Sequence, residues 1–254
     1  MIHLCIFCGS RVNSAEHVWP QWLLDFLKQM PGKYAFQSIR VRKDGQVNRW
    51  PEKPKNTPDI VTKCVCEVRC NNGWMSDLEK NVKPILSPMN KDEKAILDTA
   101  QQSFIVMWML KTAMIFDRMF KNGFYDESER FHFRKGLRLP AYNTIVLGRY
   151  TGTRWGGFTC RAIVSNKRWV PHYRSYVLTM ALGSLALQLC TAKFLSATNE
   201  HTRIVKRRKG PWSTVELLPT THASIRWPPI GPSLNDSEGT LEAFSKRFGG
   251  TRIE

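Results

Sequence analysis

Cys5-Ile6-Phe7-Cys8, Glu16-His17-Val18-Trp19-Pro20 and Cys66-Glu67-Val68-Arg69-Cys70-Asn71-Asn72-Gly73-Trp74 are the stretches on which the reading of this 254-residue chain turns. The two cysteine pairs supply four soft thiolates, enough to hold a tetrahedral zinc ion and to pin two distant pieces of chain together. Closing a loop of about 60 residues in this way would stabilise a small unit with little core of its own. The second pair has a wider gap than the commonest knuckle, though within the usual range. Cys64 lies two residues before Cys66 and, on a strand, on the same face, but its spacing to Cys70 falls outside that range. Cys5, Cys8, Cys66 and Cys70 are therefore the expected zinc ligands. Cys160 and Cys190 stand in apolar surroundings and are expected in the core. Seven cysteines is an odd number, and close spacing in a reducing compartment favours metal over disulfides.

Outward from the cysteines, Ile2, Leu4 and Ile6 form a strand-like start, followed by a turn at Gly9-Ser10 and a polar loop up to Glu16-His17. Trp22, Leu23, Phe26, Leu27 and Met30 recur at one-face helical spacing, with Pro20 in the first turn and Pro31-Gly32 as the stop. Residues 33–58 are basic and rich in turn formers. Lys43-Asp44-Gly45-Gln46 resembles a hairpin turn, so an exposed hairpin or loop is expected there. Ile60 to Cys66 is a β-type run. Trp74, Met75, Leu78 and Val82 then mark the inner face of a helix, and Pro84 is expected to end this unit.

Residues 92–119 read as one long helix, apolar on nearly all sides in its middle third and so destined for a core, with Gly123 closing it. After Pro140 the pattern turns β-rich, at 144–150, 158–165 and 175–182. Leu182 to Phe194 fits either strand or helix. A basic stretch, Arg203 with Lys206-Arg207-Arg208-Lys209, and a short helix at 241–248 complete the chain. The expected fold class is α+β, with one unit over 1–85 and a mixed helix and β-rich unit over 86–254.

Lys and Arg outnumber Asp and Glu by 38 to 21, a net charge of +17, which calls for a polyanionic partner. Basic residues interleaved with Trp, Tyr and Phe favour nucleic acid over a membrane surface. The apolar run Phe104 to Leu110 is broken by Lys111 and followed by Asp117 and Arg118, too short to cross a bilayer. The first residues carry no secretory signal pattern, and a cytoplasmic location is expected.

A C-x-x-C pair, an acidic residue plus His followed by Pro, and a second cysteine pair running straight into Asn resemble the HNH endonuclease superfamily with zinc knuckles. Glu16-His17-Val18-Trp19-Pro20-Gln21-Trp22-Leu23 and Cys70-Asn71-Asn72-Gly73-Trp74-Met75 resemble a branch found in bacterial and phage HNH proteins. The resemblance covers roughly the first third of the chain. It implies a ββα-metal nuclease core, here with an added helix after His17. It also implies that His17 is the general base, that Glu16 stands where the family usually has Asp as a ligand for catalytic Mg or Mn, and that Asn71 is the second ligand of that cation. Asn72 is the alternative to Asn71 or a helix cap, and Asn48 and Asn56 are both candidates for the family's middle Asn. The activity implied is metal-dependent hydrolysis of double-stranded DNA to a 5′ phosphate and a 3′ hydroxyl, with a homodimer as one route to a double-strand break. The added segment between the halves of the site carries Arg40, Arg42, Lys43 and Arg49, which are expected to contact phosphates. Glu79 is read as a surface charge or a support for the site. Trp19, Trp22 and Trp74 are read as packing residues, with base stacking as the alternative. The competing functions are a zinc-stabilised nucleic-acid-binding module that has lost catalysis, and a ribonuclease.

Overall fold

The computed structural model describes residues 3–30, 36–41, 47–51, 59–121, 123–136, 143–153, 157–164, 173–194, 210–218, 223–236 and 240–246. The architecture is α+β, as the sequence predicts. Strand β1 (Glu16–His17) pairs antiparallel with β4 (Val61–Thr62), Glu16 facing Thr62 and His17 facing Val61. Between them lie helix α1 (Gln21–Leu27) and the strands β2 (Phe36–Val41) and β3 (Val47–Pro51). Pro20 sits at the N-cap of α1 rather than in its first turn, and its carbonyl accepts from the amides of Leu23 and Leu24.

The expected hairpin exists as the antiparallel pair β2–β3. It does not stand alone, because β2 pairs in parallel with β7 (Gly157–Val164) of the large sheet. That sheet has the order β10-β6-β9-β8-β7-β2-β3, completed by β6 (Asn143–Arg149), β8 (Tyr173–Leu182), β9 (Leu185–Phe194) and β10 (Thr214–Leu218). Leu182 to Phe194 thus resolves as the last residue of β8, a two-residue turn and strand β9. The β8–β9 hairpin is buried almost throughout from Ser175 to Ala192. A strand covered on both faces reads as a continuous apolar run without period, which does not distinguish it from a buried helix.

A wide helical coil, Glu67–Met75, breaks at Gly73 (φ −95°, ψ −122°) and leads into α2 (Ser76–Asn90). Helix α2 does not end at Pro84. Both Pro84 and Pro88 lie inside it, on its exposed to half-buried side, where carbonyls left without an amide partner can reach water. The unit boundary expected at 85/86 falls within this helix.

The single long helix expected over 92–119 is instead a strand followed by a helix. Strand β5 (Ala95–Asp98) pairs with β11 (Ser224–Trp227), and α3 (Thr99–Met119) starts only at Asp98. Asp98 and Gln101 form a reciprocal capping box, the D-x-x-Q signature of a helix start. From Trp108 to Asp117 every residue of α3 is buried, so the helix does run through the core. That core is continuous from Cys5 to Trp227, and Trp19 beside β1 packs edge-on against Phe116 of α3 at 5.6 Å.

Helix α4 (Glu127–Arg134), absent from the sequence expectations, follows a loop held by the buried carboxylate of Asp117, which accepts from the amides of Phe124 and Tyr125. Its Phe133 meets Trp74 edge-on, and Trp74 in turn meets Phe7. A short α5 (Thr240–Lys246) is the last described element. The carbonyl of Asn90, at the end of α2, accepts from the amide of Ser184 in the β8–β9 turn. Gly183 beside it has φ +58°, and a Cβ there would lie 2.5 Å from that carbonyl oxygen. Gly183→Ala combines a disfavoured backbone with a clash against main chain, so it should destabilise the fold by about 1–3 kcal/mol. The check is a lowered denaturation midpoint at unchanged denaturant slope; an unchanged midpoint refutes it.

Candidate metal centre and the strand pair beside it

The first knuckle is a tight turn. Gly9, in the left-handed region at φ +70°, sends its amide to the Cys5 carbonyl, while the Cys5 amide reaches Ser10. The amide of Ile6 donates to the carbonyl of Cys64 at 3.0 Å, which sets the first cysteine pair beside the second. Asn13 caps the second knuckle through its side-chain oxygen, which accepts from the Glu67 amide at 2.8 Å. The outcome is a group of four sulfurs, those of Cys5, Cys8, Cys66 and Cys70, all within 4.8 Å of one another. Cys5 and Cys70 are 3.6 Å apart, and Cys8 and Cys66 are 3.4 Å apart. Tetrahedral zinc thiolate, with bonds of about 2.3 Å, needs sulfurs separated by about 3.8 Å. The four cysteines fit a metal ion such as zinc, and they are the four expected from the sequence.

The electrostatics of the cluster point the same way. Contact between the two sulfurs holds the Cys5 thiol down at about 4 and pushes the Cys70 thiol far up. A shared divalent cation is what lets all four sulfurs shed their protons at this proximity. Cys64 lies outside the group. Burial pushes its thiol up to about 11, the behaviour of an inert core cysteine.

Strand alternation separates the two residues of the Glu16-His17 pair. His17 faces outward, 47% exposed, with Nδ1 2.8 Å from the Asp59 carboxylate. A carboxylate partner places the proton on Nδ1 and leaves Nε2 as the acceptor. Asp59 was not singled out in the sequence. The signal lay in its position two residues before Val61, the residue that faces His17 across β1 and β4, legible only once the register is known.

Glu16 faces inward and is 3% exposed. Its carboxylate stands 3.7 Å from Nζ of Lys111, which is 2.9 Å from Glu79. Burial pushes the Glu16 carboxyl up, and Lys111 opposes that shift. A hydrated hard cation keeps several waters and seeks uncompensated carboxylates. A buried carboxylate already beside an ammonium does not fit one, so Glu16 as placed is not a ligand site for Mg or Mn.

Asn71, next to Cys70, is half-buried and donates through Nδ2 to Ser14 Oγ at 2.6 Å, which leaves its carbonyl oxygen as the available donor atom. Asn72 is exposed and caps no helix, the N-cap of α2 being Met75. Trp19 is fully buried, and Trp22 and Trp74 pack against the core. Arg40 and Arg49 lie on β2 and β3, opposite Asn48 and Ile39 in register. Arg42, Lys43, Asn56 and the basic stretch at 203–209 lie outside the described residues. Among the described residues, no helix is long and apolar enough to cross a membrane.

Compared with protein-family models, curated proteins and solved structures, the chain matches none.

The sulfur geometry yields a direct prediction. The protein is expected to carry one zinc per chain, Cys66→Ser to lose it and Cys64→Ser to keep it, and chelation of the bound ion is expected to lower the thermal midpoint. Metal analysis of the purified variants is the check, and equal loss of zinc from Cys64→Ser and Cys66→Ser defeats the ligand assignment.

Proposed function

We propose that the chain is a zinc-stabilised nuclease of HNH type that hydrolyses nucleic-acid phosphodiesters, with double-stranded DNA as substrate and His17 as general base. The observation that supports this reading best is the exposed His17–Asp59 pair on a strand anchored beside the four-cysteine cluster. Asp59 fixes the ring so that Nε2 faces solvent. Nε2 takes a proton from water, the water oxygen bonds to phosphorus, and the P–O3′ bond breaks, with the 3′ oxygen protonated from solvent. The products are a 5′ phosphate and a 3′ hydroxyl. The net charge of +17 supplies attraction for the polyanion. Zinc in the thiol cluster has the role of holding the fold and carries no chemistry. HNH resemblance brings with it a Mg or Mn ion at Glu16 and Asn71. Because Glu16 does not fit that ion, no step is routed through it.

A second reading, a nucleic-acid-binding module without catalysis, is favoured by the same burial of Glu16 against Lys111.

Nicking of supercoiled plasmid, run with Mg or Mn and with chelator on the zinc-loaded protein, separates the two. The wild type is expected to nick, and His17→Ala to lose about 10²- to 10⁴-fold in rate, with Asp59→Ala falling between them. Plasmid binding without nicking under every condition leaves the binding-module reading in its place, and nicking by His17→Ala at the wild-type rate defeats the assignment of His17 as general base.

A further inference from the structure

Lys111 is fully buried, at 0% exposure, in the middle of α3. In the buried run from Trp108 to Asp117 it is the only cationic residue. An ammonium stripped of water is costly unless it is paired and hydrogen-bonded. Its partners come from two other elements: Glu79 of α2 at 2.9 Å and Glu16 of β1 at 3.7 Å. Three segments distant in sequence therefore converge on one ammonium, with two carboxylates against a single positive charge.

Two hard oxygen donors around a compact cation are the chemistry of a Mg or Mn site. Here the cation is a side chain. We propose that Lys111 is the resident cation of the Glu16–Glu79 carboxylate pair and takes the position at Glu16 that a divalent metal ion would otherwise hold. The inference concerns binding at Glu16 and stands apart from whether His17 cleaves phosphodiesters. Glu79 is 23% exposed at its side chain, so the pair has a path to solvent. Once the ammonium is removed, an ion can reach it. Lysine suits the position because its ammonium is a point charge with three donors on a flexible stem, able to reach between two carboxylates from a helix buried on all sides.

The test is Mn²⁺ binding to the zinc-loaded full chain, read by electron paramagnetic resonance, which needs no substrate and no activity. Zinc outranks manganese at thiolates, so the cysteine cluster does not take up the probe. In the wild type, Mn²⁺ binding is expected to be the same as in Glu16→Gln. Lys111→Ala is expected to gain one bound Mn²⁺ per chain, and Lys111→Ala with Glu16→Gln to lose it again. A wild-type Mn²⁺ site that disappears in Glu16→Gln overturns the proposal, as does a folded Lys111→Ala that gains no site. If Lys111→Ala does not fold by itself, Mn²⁺ should restore its fold, and failure to do so also overturns the proposal.

Discussion

Four sulfur atoms from positions as far apart as Cys5 and Cys70 stand close enough to share one metal ion, and the first third of the chain depends on that closure. Strands β1 and β4 have two residues each, far below what an independent ribbon needs. Between them the chain departs through α1 and lends β2 and β3 to the large sheet before it returns. Cross-linking a loop of this length removes about 4 kcal/mol of chain entropy from the unfolded state, if a metal cross-link is treated like any other. The amide of Ile6 on Cys64, the amide of Val18 on Ile60 and the Glu67 amide on Asn13 are single hydrogen bonds of modest net worth. They acquire a fixed geometry because the thiols hold the two segments in register. From the knuckles the constraint passes on through Phe7, Trp74 and Phe133 to α4.

Helix α3 presents a different problem. An amphipathic helix finds its rotation by turning one apolar stripe to the core, but α3 is buried all round from Trp108 to Asp117 and has no such stripe. Its polar residues supply the missing information. Lys111 and Asp117 are six positions apart, hence roughly 120° around the helix axis. The ammonium faces Glu16 and Glu79, while the carboxylate faces the amides of Phe124 and Tyr125. Breaking one partner of such a pair costs more than the pair itself contributes. Only one rotational setting of α3 satisfies both, and that setting joins β1, α2, α3 and the α4 loop.

Local chemistry was legible in the sequence and distant pairing was not. The four clustered cysteines follow from spacing alone, and three strands of the large sheet, the buried middle of α3 and the short helix at Thr240–Lys246 follow from periodicity and apolar content. Misread boundaries have physical causes. Ala95–Asp98 passed for helix because a four-residue strand carries too little alternation, although Asp98 with Gln101 marked the true helix start. Pro84 passed for a stop because a proline's effect depends on whether the carbonyl it orphans meets water. The pairing of β2 with β7 joins residues more than a hundred positions apart, and no short-range pattern encodes it. Asp59 and Lys111, which complete the surroundings of His17 and Glu16, were invisible as partners for the same reason.

The separation of Glu16 from His17 was nevertheless written in the chain. Ala15, Glu16, His17 and Val18 alternate exposed, buried, exposed, buried, and an apolar Val18 turned inward on a strand carries Glu16 inward with it and His17 outward. Adjacency in sequence therefore argues against a shared face. The consequence for chemistry is that what His17 can work with is set by the outer face of the ribbon: Asp59 at hydrogen-bond distance, Val61 directly opposite, and the exposed Lys63 two residues beyond. An acid, an apolar contact and an ammonium follow one another at alternate positions from 59 to 63, on the side of the chain that is open to solvent. Such a surface suits an extended polyanion lying across it better than a small molecule held within it, and the proposed nucleic-acid substrate agrees with that exposure as well as with the charge of the chain.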